Sequence, residues 1–397
     1  MAKRIFIVIC LMIMASVFCY ASPPENVPSK YSQLYAYLEQ ILDAQLSKTA
    51  NTAVAKAPFR PIYSVELLVA NSNRGPILLR PETLTAVRVS LDRFKSMGVQ
   101  CVKFALHYPL LRPDFPNAQK YLTFYKEVVK EAHSRGIMVM PHLTVMFSDT
   151  PFSPFKNLYR GLTLASFKEE FRDMVHLVVR ELEPDYLGML SEPDTHARLT
   201  GLTELNDPKT MVELVRFILK DLERGRTLIG AGSGSWSPLD FARALADQTD
   251  LDFISIHIYP INGPMSPNAG EMARIAHSSG KKAIIDESWL YKVIRPGGGN
   301  NVAATSEIFR RDVYSFWQPL DIKFMRMIFQ MAEEEKISLV SFFWSGCFFS
   351  YLNYSPELES LSYRDLIRRY NQQVFKNMLE GRLSMVGEFF RKTATGK

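Results

Sequence analysis

From Phe59 onward, short apolar runs alternate with segments whose apolar residues recur at helical spacing. The runs that read as strands are 62–70, 100–107, 137–145, 185–192, 227–232, 252–259, 282–287 and 339–345. Helical patterns cover 81–97, 121–135, 167–182, 208–224, 238–247, 270–279 and 321–336, with a last one at 362–379. Gly98, Gly136, Gly225 and Gly280 each stand between a helix and the next strand, where a helix C-terminus favours glycine. This alternation predicts a closed (β/α)8 barrel of parallel strands over residues 59–397. A doubly wound open sheet is the competing architecture. It would carry a glycine-rich phosphate turn after its first strand, and Asn71-Ser72-Asn73-Arg74-Gly75 is not one.

Successive side chains on a strand point to opposite faces. In 252–259, Ile254, Ile256 and Ile258 suit packing under helices, which leaves Phe253, Ser255, His257 and Tyr259 inward. In 100–107 the inward set is Lys103, Ala105 and His107; in 137–145 it is Met138, Met140, His142 and Thr144. Polar members gather toward the C-terminal ends of the strands, where barrel active sites lie. Two strands end on a glutamate. Glu192 shares parity with Gly188 and Leu190, and Glu287 with Ala283 and Ile285, so both are expected inward. Asp286 is a rival nucleophile, but its parity sends it outward beneath the helices. Strands four and seven are three places apart in an eight-membered ring, so their ends face each other across the mouth. Carboxyls roughly 5–5.5 Å apart perform double displacement at an acetal carbon, whereas a gap of roughly 6.5–9.5 Å gives inversion. On strands one and two, Glu66 and Lys103 share the inward face and are expected to pair.

Four short motifs stand in order on strands four, six, seven and eight: Ser191-Glu192-Pro193, His257-Ile258-Tyr259-Pro260, Asp286-Glu287-Ser288-Trp289 and Phe343-Trp344-Ser345. Together they resemble glycoside hydrolase clan A, the superfamily of barrel-fold retaining glycosidases, over about residues 59–379. The resemblance implies that Glu192 is the general acid/base and Glu287 the nucleophile. It implies that Tyr259 hydrogen-bonds the nucleophile, that His257 lines the same wall and that Trp344 stacks under the sugar. Ser191 departs from the pattern, because the clan usually places there an asparagine whose amide meets the sugar 2-hydroxyl. The arginine often found on strand two also has no clear counterpart; Lys103 and His107 are the residues nearest its place.

The tryptophans extend this picture. Trp236, Trp289 and Trp344 follow strands, Trp317 lies in the long segment after strand seven, and at least three of the four are expected at the catalytic rim. Flat indoles there suit the apolar faces of pyranose rings. The expected substrate-binding set is therefore His107, His142, Ser191, Trp236, His257, Tyr259, Trp289 and Trp344. Residues 292–317, which include Pro296-Gly297-Gly298-Gly299, are expected to form a long loop over the site. No His-x-His opens the first strand and no His-Glu-x-x-His occurs, so a metal hydrolase lacks its ligand pattern and no metal or cofactor is expected.

Composition adds bounds. The 397 residues are 47% apolar and 22% charged, enough for a large core without disulfides. Lys3 and Arg4 precede an apolar run at 5–18 and small residues at 21–22, which reads as a secretory signal over residues 1–21. A retained membrane anchor is the alternative, and a lipoprotein site at Cys19 a further one. Removing the signal takes net charge from +6 to +4, too little for a nucleic-acid footprint. Residues 22–58 read as an N-terminal arm, with a helix at 31–46 and a linker, placed under the barrel floor or on a partner. Cys101 and Cys347, both in apparent strands, are expected as buried thiols. The chain is thus expected to be a secreted or periplasmic retaining β-glycosidase acting on an oligo- or polysaccharide. The alternatives are a carbohydrate-binding barrel without catalysis, and a lyase or isomerase using one carboxylate as base.

Overall fold

The computed structural model describes residues 26–50, 59–259, 261, 265–294 and 302–396. The expected signal sequence and most of the linker after the N-terminal helix lie outside them. Among the described residues, no helix is long and apolar enough to cross a membrane.

Eight parallel strands close into a barrel in sequence order. They are β1 Ile62–Glu66, β2 Cys101–Tyr108, β3 Met138–Val145, β4 Tyr186–Met189, β5 Leu228–Gly234, β6 Phe253–Ile258, β7 Lys282–Ser288 and β8 Leu339–Phe342. Around them run α1 Ser29–Ala50, α2 Pro81–Ser96, α3 Ala118–His133, α4 Leu164–Leu182, α5 Pro193–Thr200, α6 Pro208–Leu219 and α7 Leu239–Gln248. The chain continues through α8 Met265–Ser278, α9 Val302–Asp312, α10 Gln318–Glu334, α11 Pro356–Glu359, α12 Tyr363–Glu380 and α13 Met385–Thr395. The four expected cap glycines all take φ between 57° and 85°, the left-handed region that ends a helix without a Cβ clash.

Two cores follow from strand alternation. One lies between the strands and the helices and holds Val102, Phe104, Ile254, Ile256 and Ile258, as their parity requires. The other fills the barrel floor with Cys101, Met140, Tyr186, Phe253, Ile284 and Leu339. Above this apolar plug the lumen turns polar. Cys101 and Cys347 are buried free thiols.

β7 corrects one expectation. Ile284 belongs to the lumen core while Ala283 and Ile285 face the helices, the reverse of the parity read from sequence. The register explains how Glu287 still points inward. Ser255 pairs with Ile284 and His257 with Glu287, so three residues of β7 oppose two of β6; the same slip recurs against β8 between Ile285 and Ser288. Asp286 follows Ile284 into the lumen by alternation, and this one-residue bulge turns Glu287 in after it. β4 has its own break. Alternation stops at Leu190, whose φ of 53° is a strained conformation for a branched side chain and swings Ser191 and Glu192 inward together.

The N-terminal arm packs on the barrel flank, rather than on the floor. Tyr35 of α1 stacks on Trp317 with ring centroids 5.8 Å apart, and Tyr31 meets Trp317 and Phe316 edge-on or tilted. Lys323 of α10 pairs with Glu39 and Asp43 at 2.9 and 2.8 Å. Trp317 is 0% exposed, so it holds the arm and is not a rim residue. Trp317→Ala is expected to destabilise the chain by about 3–5 kcal/mol, the cost of emptying a buried aromatic site. Urea unfolding would measure that loss, and amide exchange would show α1 losing protection before the barrel does.

Candidate active site

Four elements bring charged side chains together at the mouth of the barrel. Glu192 follows the end of β4 and is the N-cap of α5. Glu287 comes from the β7 bulge, His257 from the end of β6, and Lys103 from the middle of β2. Oxygen atoms of Glu192 and Glu287 and a ring nitrogen of His257 all lie within 4.8 Å of one another. The two glutamates keep partial exposure, 19% and 13% of the side chain, where their neighbours below are fully buried.

Glu287 is held from two sides. Tyr259 Oη donates to its Oε1 and Lys103 Nζ to its Oε2. Lys103 also lies 3.2 Å from Glu66 Oε2, and Glu66 Oε1 accepts from the Ala105 N–H at 3.1 Å. Burial opposes charge on Lys103, but Glu287 and Glu66 outweigh it and keep the ammonium protonated. Burial also raises the Glu66 carboxyl to about 7 against the pull of Lys103. The expected Glu66–Lys103 pair is therefore present, and Lys103 also reaches Glu287.

Glu192 Oε1 lies 2.8 Å from His257 Nδ1. Burial raises the Glu192 carboxyl, yet the hydrogen bond and charge of His257 more than offset this and leave it below the ordinary value. His257 resists burial in the same way: Asp286, Glu287 and Glu192 raise it to about 10. Asp286, expected outward, is wholly inside, its Oδ1 accepting from Ser255 Oγ and lying 3.2 Å from His257 Nε2. It shares the lumen-facing parity of Ile284, the reverse of the parity read from sequence.

The remaining expected residues divide. His142 lines the lumen with its ring edge-on to His257 at 5.2 Å, and burial keeps it neutral. Ser191 does not face the mouth. It is fully buried, with Oγ 3.0 Å from His142 Nε2 and 2.8 Å from Ser255 Oγ, because Leu190 turns it under Glu192. His107, near the C-terminal end of β2, is turned to the segment after β1 and bonded to Ser72 and Asn73, and burial lowers it to about 3. Trp236 sits beside Tyr259 with centroids 6.3 Å apart, and its Nε1 donates to Asp194 Oδ2 at 3.1 Å. Trp344 stands after β8 against Phe343 and Phe309. Trp289 is not a pocket residue: it is 1% exposed, packs on Phe342 and lies under the Lys292 ammonium, since the residue after Ser288 points to the helical side.

Other groups here were not singled out from sequence. Tyr291 packs on Tyr259 at 4.6 Å, and Phe309 covers Tyr291, Phe343 and Trp344. Phe309 belongs to α9, a helix inside the segment expected as loop; the glycine-rich run before it lies outside the described residues. His196 of α5 bonds Thr144 Oγ1 at 2.8 Å and is lowered to about 4 by burial. His142, His257 and Asp286 also converge within 4.8 Å, as do Glu192, His257 and Glu287. In both groups the compensating positive charge comes from His257 and Lys103, so neither needs a cation for charge balance.

The sequence matches no family profile and no curated protein. Solved structures do resemble the fold. The exo-beta-1,4-mannosidase from Opitutaceae bacterium strain TAV5 superposes over 87% of this chain and 62% of its own, with a TM-score of 0.55 and 13% identity. GH5_18 from Bifidobacterium longum subsp. longum, solved in complex with Manb1-4GlcNAc, covers 85% of this chain and 78% of its own, with a TM-score of 0.53 and 14% identity. This chain shares their barrel fold. It spans less than two thirds of the mannosidase's length.

Proposed function

We propose that the chain is a retaining β-glycosidase acting on an extracellular or periplasmic oligo- or polysaccharide. Glu287 is the nucleophile and Glu192 the acid/base. The observation that carries this reading is the approach of the two carboxylates within 4.8 Å at the C-terminal mouth of the barrel. That spacing leaves no room for a water between carboxylate and sugar, which inversion at roughly 6.5–9.5 Å requires, and it suits double displacement. Glu287 attacks the anomeric carbon while Glu192 passes a proton to the leaving oxygen. Water then enters on the same face, giving its proton back to Glu192. Tyr259 and Lys103 fix the attacking carboxylate, which removes most of the orientational freedom it would otherwise lose in the reaction. Trp236, Tyr291, Phe309 and Trp344 supply apolar faces for the sugar.

The two structural neighbours direct the choice of substrate, one named as a beta-1,4-mannosidase and one holding Manb1-4GlcNAc. Nitrophenyl β-mannoside and β-glucoside, with β-1,4-linked disaccharides, form the first panel. Proton NMR during hydrolysis is expected to show the β anomer of the product first. Appearance of the α anomer first would refute double displacement. The burial of Ser191 favours a second reading, a carbohydrate-binding barrel without turnover. Saturable binding of these sugars with no product over days would select it.

A further inference from the structure

The residue before the nucleophile is not idle packing. Asp286 is fully buried, and its carboxylate faces the His257 ring from the side opposite Glu192. One imidazole thus lies between two carboxylates, 3.2 Å from Asp286 at Nε2 and 2.8 Å from Glu192 at Nδ1. Ser255 donates to Asp286 Oδ1 and receives Ser191 in turn, which fixes the carboxylate in this position. Gly188 makes the space: a Cβ there would stand 3.0 Å from the His142 ring and 3.2 Å from Asp286 Oδ2. Asp286 follows Ile284 onto the lumen face by alternation, and the β7 bulge brings Glu287 to the same side directly after it.

We propose that Asp286 is a positioning residue for the acid/base. It holds His257 as the imidazolium, so that the proton delivered through Glu192 is stored on His257 Nδ1. This rests on the glycosidase reading. In the first half-reaction the glycosidic C–O bond breaks and the bond from Glu287 to the anomeric carbon forms. The leaving oxygen takes a proton from Glu192, and Glu192 takes the one on His257 Nδ1. In the second half-reaction water bonds to the anomeric carbon, the Glu287 ester bond breaks, and the water's proton returns through Glu192 to His257. The ionised state of Glu192 at rest is then no obstacle to acid catalysis, because its proton is one hydrogen bond away.

The charged and titratable groups facing His257 agree with the assignment. Glu192 and His196 approach from α5 and its cap, Asp286 and Glu287 from β7, His142 from β3 and Lys103 from β2. The carboxylates favour the imidazolium. Lys103 opposes it but is itself paired with Glu287 and Glu66.

The test is a histidine Cε1 titration by NMR of the full chain, with the His257 signal assigned from His257→Asn. In the wild type His257 is expected to stay protonated through pH 8. In Asp286→Asn its midpoint is expected to fall by about 1–3 in pH, the effect of removing an adjacent opposite charge. The basic limb of kcat/KM should move to lower pH with it, whereas a packing defect would lower activity equally at every pH. An unchanged His257 midpoint in Asp286→Asn overturns the proposal. So does a wild-type midpoint below 7, which decides the matter even if the variant does not fold. If no glycoside is cleaved, the glycosidase reading fails on its own, and the titration still reports whether Asp286 sets the state of His257.

Discussion

Glu287→Gln is expected to lower kcat by a factor on the order of 10⁴, equivalent to about 5.4 kcal/mol of lost transition-state stabilisation. The amide keeps the size of the carboxylate and can still accept from Tyr259 or Lys103, so the fold and KM should change little. It cannot form the covalent bond that divides the reaction into two displacements. Glu287→Ala opens a space beside the anomeric carbon. A small anion such as azide should enter it and restore turnover, giving the glycosyl azide of inverted configuration. The partial exposure of Glu287, against none for Asp286, leaves a path for that anion. Full activity in Glu287→Gln, measured on a glycoside the wild type cleaves, would remove Glu287 from the mechanism.

The barrel was legible because its signals are periodic. Strands β2, β3 and β6 have the inward and outward sets that alternation assigns, and Lys103, His142, His257 and Tyr259 followed from it. Parity failed at the two strands that carry the carboxylates. β4 leaves regular geometry at Leu190 and β7 gains a residue at Asp286, and neither change has a local signature such as glycine or proline. Glu192 and Glu287 were placed correctly because each is turned inward anyway. Ser191 was misplaced because Leu190 breaks the alternation before it, and Asp286 because β7 has Ile284, not Ala283 and Ile285, on its lumen face. Beneath Glu192 and Glu287 lies a buried, hydrogen-bonded layer of Asp286, Ser255 and Ser191.

Tryptophans illustrate a different limit. Position after a strand does not distinguish a rim residue from a core residue. Trp236 and Trp344 are at the mouth, but Trp289 and Trp317 are buried, one beneath Lys292 and one beneath α1. Those partners are distant or of opposite character in sequence, so only the packed chain reveals them. α9 was hidden for another reason. Its helical stretch adjoins a glycine-rich run, and the composition of the whole segment read as loop.

Lys103→Met should damage both stability and turnover. Lys103 is the ammonium between Glu66 and Glu287, with no exposed side-chain surface. Removing one partner from a buried ion pair leaves the other unpaired and costs about 3–5 kcal/mol. The pH dependence gives the loss a direction. Burial raises Glu66 from 4.5 to about 7, so its folded form binds a proton more readily than the unfolded chain does. A group shifted this way stabilises the native state fully below 4.5, and that share is lost as pH rises through 7. Without Lys103 the attraction that limits the rise is gone, so Glu66 should hold its proton to higher pH and the unfavourable window should extend upward. Urea midpoints are therefore expected to differ most between variant and wild type near pH 8, and least near pH 5, where a protonated Glu66 no longer needs the ammonium. Turnover should fall as well, because Glu287 loses one of the two groups that orient it. An equal loss of stability at both pH values would mean that Glu66 is not the carboxyl that responds.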